Sequence, residues 1–338
     1  MFDNFPLWPD RASTAAGNVD ALFVFLLIVS GLMTALIFAA LIYFAARYRR
    51  RRGVLAEQIE GSTPLELTWS IIPLFVFMVI FAWGAVVYFK GRTPPRDSTE
   101  VYVVAKQWMW KLEHAEGQRE INELHVPVGR DVKLIMTSQD VIHSFYVPAF
   151  RMKQDVLPGR YTVAWFRATK PGTFHLFCAE YCGTEHSRMI GSVTVMEPAD
   201  YEAWLVTGNP SPVEVAAGAS AAPASAAGGG ASGPTPVEIG AKLFQEKACF
   251  TCHLATPGGI GPILTHVPGS EVELASGDKV VADDAYLRES ILTPMAKVVK
   301  GFPPAMPTFQ GQLTEDQVMS LIAYVKSLGG APGAPAAH

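Results

Sequence analysis

Two short runs of this chain place soft metal ligands at spacings suited to electron transfer. The first is Cys178-Ala-Glu180-Tyr-Cys182-Gly-Thr-Glu-His186-Ser-Arg-Met189, with two thiols, an imidazole and a thioether within twelve residues. A further imidazole, His143, lies upstream in Gln139-Asp140-Val-Ile-His143. Thiolate and thioether favour copper, and imidazole suits it as well. A mononuclear blue-copper site takes two His, one Cys and a weak Met; this run carries one Cys more. A second, bridging thiolate lets two copper ions share the sulfurs, with one His on each. The competing readings are a Cys178–Cys182 disulfide, which an oxidising compartment permits, and a zinc site, for which Met is a poor partner. The neighbouring His and Met favour copper over both. His175, three residues before Cys178, is a rival ligand but fits a side chain on the incoming strand better.

The second run is Cys249-Phe-Thr-Cys252-His253. Cys-x-x-Cys-His is the pattern of covalent c-type haem attachment. The two thiols add to the haem and the adjacent His ligates iron. A redox dithiol or half of a zinc site would share the pattern. However, no βαβ unit precedes it, and no second Cys pair follows it. A distal iron ligand is offered by Met306 in the proline-fixed run Phe302-Pro-Pro-Ala-Met306-Pro, with Met295 and His266 as rivals. Met319 is excluded because it falls in a final helix. That helix is announced by the capping box Thr314-Glu-Asp-Gln317 and by one apolar face of Val318, Leu321, Ile322, Val325 and Leu328.

Several distinct elements must position these groups. Residues 21–46 and 67–89 are free of charge and long enough to cross a bilayer. Between them, over 47–66, five arginines follow the first run, a charge bias that belongs on the cytoplasmic side. The expectation is a transmembrane hairpin after an external segment 1–20, with both termini and both metal domains outside. The segment before the first run is acidic, unlike a signal peptide. Over 91–207 short runs that alternate or are rich in β-branched and aromatic residues (Glu100–Val104, Val132–Met136, Tyr161–Ala168, Gly172–Phe177, Gly191–Met196), broken by Pro-Gly turns, predict an all-β sandwich or barrel. Residues 208–236 are Gly, Ala, Ser or Pro at 24 of 29 positions and read as a flexible linker. A helical module follows over 237–329, with a tail over 330–338. The chain is 49% hydrophobic with a net charge of −4, which excludes a disordered chain and a basic nucleic-acid binder.

Pro64-Leu-Glu66-Leu-Thr-Trp-Ser-Ile-Ile-Pro73, Gln107-Trp108-Met-Trp110 and the Cys178–Met189 pattern resemble subunit II of the haem–copper cytochrome c oxidases over residues 20 to about 205. The resemblance implies a cupredoxin-like Greek-key barrel holding a binuclear copper centre. By that likeness Cys178 and Cys182 bridge the coppers, His143 and His186 bind one each, Met189 is a weak ligand to one, and the Glu180 carbonyl serves the other. The Glu180 carboxylate would reach a magnesium ion at the boundary with the catalytic subunit. Trp108 resembles the tryptophan through which the family accepts electrons, with a barrel aromatic as the alternative. Glu66 resembles the carboxylate at the mouth of a proton-uptake path, though an acid there also suits the helix dipole. From Val237 onward the pattern resembles a class I cytochrome c, in which Gly261-Pro262 packs near the proximal histidine.

The combined order resembles a caa3-type subunit II, in which a cytochrome c is fused to the oxidase. The fold expected is multidomain: membrane hairpin, all-β cupredoxin, all-α cytochrome. The implied setting is a bacterial cell membrane, with oxidase subunits I and III, lipid, and cytochrome c or another donor as partners. Oxygen reduction and haem a would reside in subunit I, because the two apolar runs contain no His. A nitrous oxide reductase relative would need more than eight His, and a copper-free quinol oxidase subunit would not keep the full ligand set. A membrane-anchored shuttle serving another terminal reductase is the remaining alternative.

Overall fold

The computed structural model describes residues 8–50, 53, 60–207 and 234–329. Most of the 208–236 linker expectation lies outside the described residues, as do the 330–338 tail and Arg51 and Arg52. The chain divides into two units, residues 15–93 and the remainder.

The first unit is two long helices, α1 (Ala16–Arg47) and α2 (Thr63–Arg92). Each outruns its uncharged run by several residues, because helical hydrogen bonding does not stop where apolarity does. Large apolar side chains stand exposed along both, Leu32 at 66%, Phe75 at 69% and Phe81 at 69%. A surface of that kind is stable only against lipid or another protein. Phe25 and Trp83 meet between the helices at 5.4 Å.

The second unit contains the barrel. Its first sheet has strand order β3-β2-β1-β5-β8, built from β1 (Thr99–Lys106), β2 (Met109–His114), β3 (Arg119–Ile121), β5 (Asp131–Ser138) and β8 (Thr162–Arg167). The second has order β4-β10-β9-β6-β7, built from β4 (Glu123–Pro127), β6 (His143–Val147), β7 (Met152–Val156), β9 (Gly172–Cys178) and β10 (Ile190–Met196). All five runs expected to be extended fall on strands, with β8 one residue shorter at each end than the expected Tyr161–Ala168. The others are short or carry charge on one face, as in Met-Trp-Lys-Leu-Glu-His of β2. Alternate residues such as Val101, Val103, Leu134, Phe145 and Leu176 fill the space between the sheets. Residues 12–14 join the edge, where Ala12 N–H donates to the Ala149 carbonyl at 3.0 Å.

A helix not foreseen from the sequence, α3 (Pro198–Thr207), closes the barrel. Trp204 stacks on His125, and the Tyr201 hydroxyl meets His114 Nδ1 at 3.1 Å. Glu120 bridges both imidazoles.

The helical module opens at α4 (Pro236–Glu246), capped by Thr235, so the linker ends earlier than expected. A small ribbon, β11 (Glu271–Glu273) with β12 (Lys279–Val281), and α5 (Asp284–Leu292) follow. The last helix is α6 (Glu315–Leu328), with the expected Thr314–Gln317 capping box formed on both sides. Helices α4 and α6 cross closely, and a Cβ on Gly240 would lie 2.0 Å from the Ser320 carbonyl oxygen.

Candidate metal centre and haem cleft

Strand pairing brings the copper-type ligands together. His143 opens β6, Cys178 ends β9, and the two strands are hydrogen-bonded through Phe145 and Cys178. The chain then turns through Cys182 and a short 3-10 turn, His186–Arg188, and returns as β10. The turn closes over the sulfurs because the Cys178 N–H donates to the Met189 carbonyl at 3.1 Å. Ligand atoms of His143, Cys178 and Cys182 all lie within 4.8 Å of one another, and all three residues are buried.

The two sulfurs are unbonded, 3.7 Å apart. Each has its own companions. His143 Nδ1 lies 3.9 Å and the Glu180 carbonyl oxygen 3.3 Å from Cys178 Sγ. His186 Nδ1 lies 3.4 Å and Met189 Sδ 3.9 Å from Cys182 Sγ. The rival His175 is exposed on β9, against Phe177 and away from this cluster.

Electrostatics set the two thiols apart. Burial opposes ionisation of Cys178. The His143 imidazole and backbone hydrogen bonds at Ser144 and Glu180 outweigh it and hold the thiol down to about 6. Burial and the adjacent Cys178 push Cys182 up to about 12. Burial also works against a charged His143, but Cys178 and Asp140 overcome it and raise its pKa. Two buried thiols this close, one held low and the other pushed up by its neighbour, suit a cation, since a coordinated thiol is deprotonated outright. The donor set of two S, two N, a thioether and a carbonyl matches soft, copper-type chemistry.

A supporting shell surrounds these groups, and two of its members were not assigned from sequence. Asp140 Oδ1 meets His143 Nε2 at 2.8 Å, so Nδ1 is turned toward the sulfur. Asp140 Oδ2 accepts from the Gln107 N–H at 2.7 Å. Gln107 Nε2 donates to the Cys182 carbonyl at 2.8 Å, and Trp108 Nε1 reaches the same oxygen at 3.2 Å. Gly183 makes this approach feasible. Its φ is +122°, and a Cβ there would sit 2.9 Å from Gln107 Nε2. Glu66 is exposed in the first turn of α2, in the other unit.

In the helical module Cys249, Cys252, His253 and Met306 line one apolar cleft, floored by Leu321 and Ile322. Its lining is almost wholly apolar, with few polar groups, as suits a flat apolar cofactor. The His253 ring is fixed by Nδ1, 2.9 Å from the Pro262 carbonyl oxygen. Gly261 leaves room for that ring, since a Cβ would stand 2.7 Å from His253 Cε1. Nε2 is then the nitrogen left for a metal, and the residues fit a covalent haem. Met295 also borders the cleft. His266 is not part of its wall, and Met319 lies in the hydrophobic core.

Three family profiles match the chain: "Cytochrome C oxidase subunit II, transmembrane domain" over residues 5–85, "Cytochrome C oxidase subunit II, periplasmic domain" over 118–196, and "Cytochrome C oxidase, cbb3-type, subunit III" over 235–325. Cytochrome c oxidase subunit 2 of Alkalihalophilus pseudofirmus is 30% identical over 89% of this chain and 84% of its own length. The chain belongs to the cytochrome c oxidase subunit II family. The Thermostichus vulcanus subunit 2 is 32% identical over 59% of this chain and 77% of its own. The periplasmic domain of subunit II from Bradyrhizobium japonicum is 31% identical, covering 33% of this chain and 94% of that one with a TM-score of 0.32.

As a subunit II with an added cytochrome domain, the chain fits the fused caa3 type. It is a membrane-anchored electron-transfer subunit of a haem–copper oxidoreductase and assembles with other oxidase subunits. Its barrel is a copper domain, and its helical module is a covalent haem c domain.

Proposed function

We propose that this subunit accepts single electrons at its own haem c and passes them to a binuclear copper centre, from which they leave for subunit I. The observation that carries this reading is the buried convergence of His143, Cys178 and Cys182. When bound, the metals supply one-electron redox chemistry. Cys178 and Cys182 would bridge two coppers. His143 and His186 would each serve one copper, with Met189 a weak ligand to one and the Glu180 carbonyl to the other; all four lie within 3.9 Å of a cysteine sulfur.

In the haem module, Cys249 and Cys252 would fasten the cofactor, and His253 and Met306 would ligate its iron, supplying one-electron redox chemistry. Trp108, which donates to the Cys182 carbonyl, would bring electrons to the copper centre. The Glu180 carboxylate would bind magnesium against subunit I. Glu66 would stand at the mouth of a proton path of a pumping oxidase. The arginines after α1 favour cytoplasmic placement of the interhelical loop, leaving both metal domains and both termini outside. Subunit III and an external donor such as cytochrome c complete the partners.

The test is metal and haem analysis of the purified complex with electron paramagnetic resonance. Two coppers and one covalent haem are expected in this chain, and Cys182→Ser should abolish the dicopper signal while leaving the haem. An unaltered copper spectrum in Cys182→Ser would overturn the ligand assignment.

A further inference from the structure

The composition of residues 208–236 suggests a haem module free to swing, but the outer face of the barrel is built to hold it. Strand β1 is buried on both faces. Val101, Val103 and Ala105 fill the barrel. Tyr102 and Val104 join Ile135 and Tyr161 in a second cluster with Val318, Met319 and Ile322 of the haem module. Ile135 is fully buried there and Tyr102 is 5% exposed. Without the module these four side chains would form an apolar patch on a water-facing sheet.

Charges frame this cluster at both ends of α6. At its C-terminal end Lys326 Nζ lies 2.6 Å from Glu100 Oε2 and 3.1 Å from Asp284 Oδ1. Lys133 joins the same group, 2.9 Å from Glu100 and 3.5 Å from Asp284. At the N-terminal end Asp316 meets Lys111 at 3.4 Å, and Lys111 pairs with Val104 across the β1–β2 ladder. Arg288 pairs with Glu315 and donates to the Gly159 carbonyl of the barrel. The spacings agree. Asp316 and Lys326 are about 15 Å apart along the helix, and Glu100 and Val104 about 13 Å apart along the strand. The acidic end of α6 therefore meets base and the basic end meets acid, so the pattern fixes one direction of α6 along β1. Among the described residues, the haem cleft is lined by those of the haem module, so the joint grips the module without covering the cleft.

We infer that the haem module is docked in solution on the outer face of β1 and β5 through this aromatic and charged joint, in one orientation, and that the connecting segment is not what keeps it there. The test uses the assembled oxidase with a protease site inserted after Gly229. After cleavage the haem fragment should stay with the complex through gel filtration at physiological salt. Ile135→Asp, on the outer face, should keep the copper spectrum and speed release of the cleaved fragment at least tenfold. Glu100→Gln and Lys326→Gln should each speed release several-fold, and the double variant by less than the product of the two. Immediate loss of the cleaved fragment from the parent complex would overturn the inference. So would equal retention by all the variants.

Discussion

Gly261 gives the sharpest test of how the haem module holds its histidine. Its Cβ in a Gly261→Ala variant would lie 2.7 Å from His253 Cε1 and 2.9 Å from Nδ1. Ordinary contact begins near 3.4 Å, so the ring or its loop must yield by about 0.7 Å. The 2.9 Å hydrogen bond from His253 Nδ1 to the Pro262 carbonyl would then stretch to about 3.6 Å, which no longer counts as one. Its loss costs about 0.5–1.5 kcal/mol, and overpacking costs about 1–3 kcal/mol. The sum, about 1.5–4.5 kcal/mol, lowers the melting temperature of a module this size by roughly 6–36 °C. Thermal unfolding followed through the haem absorbance bands measures it. The same lost bond makes the imidazole a weaker donor, so the haem midpoint potential should rise. A variant melting within about 2 °C of the parent, with an unchanged potential, would refute the claim that Gly261 and Pro262 seat His253.

Gly183→Ala should strain a +122° φ and push Gln107 and Trp108 off the Cys182 carbonyl. The expected result is at least a several-fold slower reduction of copper by haem in stopped flow, and normal kinetics would count against Trp108 as the point of arrival. Asp140→Ala removes the carboxylate that turns His143; copper retention against a chelator should fall about 10–100-fold, and unchanged retention would exclude that role. The joint should respond to acid. Burial alone would raise the Glu100 pKa, but Lys326 and Lys133 hold it below the ordinary 4.5, while Tyr102 and Asp284 face the same group. A carboxyl depressed on folding contributes fully above its unfolded value, and the contribution fades as pH falls through its folded one. Cleaved module should therefore come off as pH drops below about 4.5, whereas release on going from about pH 6 to 8 would contradict the assignment.

The sequence reveals most where chemistry is concentrated in a short stretch. Five of the six copper-type ligands fall within the run from Cys178 to Met189, and Cys249 to His253 is contiguous, so spacing alone exposes them. The Thr314–Gln317 box is visible for the same reason, since a capping contact spans only three residues. Gln107 and Asp140 escape such a reading because their role depends on the meeting of β1–β2 with the turn after β9, which local pattern does not specify. Strand β1 did carry a clue to the joint, since Val101-Tyr-Val-Val-Ala105 is apolar without alternation, as in strands covered on both faces. What covers it lies 226 positions away at Lys326, beyond the reach of any periodicity.

Helix α6 belongs to two structures at once. Leu321, Ile322 and Val325 wall the cleft, while Asp316, Met319 and Lys326 face the barrel. A helix shared in this way couples maturation to assembly. Whatever free energy the inserted cofactor contributes to ordering α6 also favours seating on the barrel, and seating favours an ordered cleft around the cofactor by the same amount. A chain that has not yet received its haem should present a poorer mate to its own copper domain, which gives the cell a built-in order of construction.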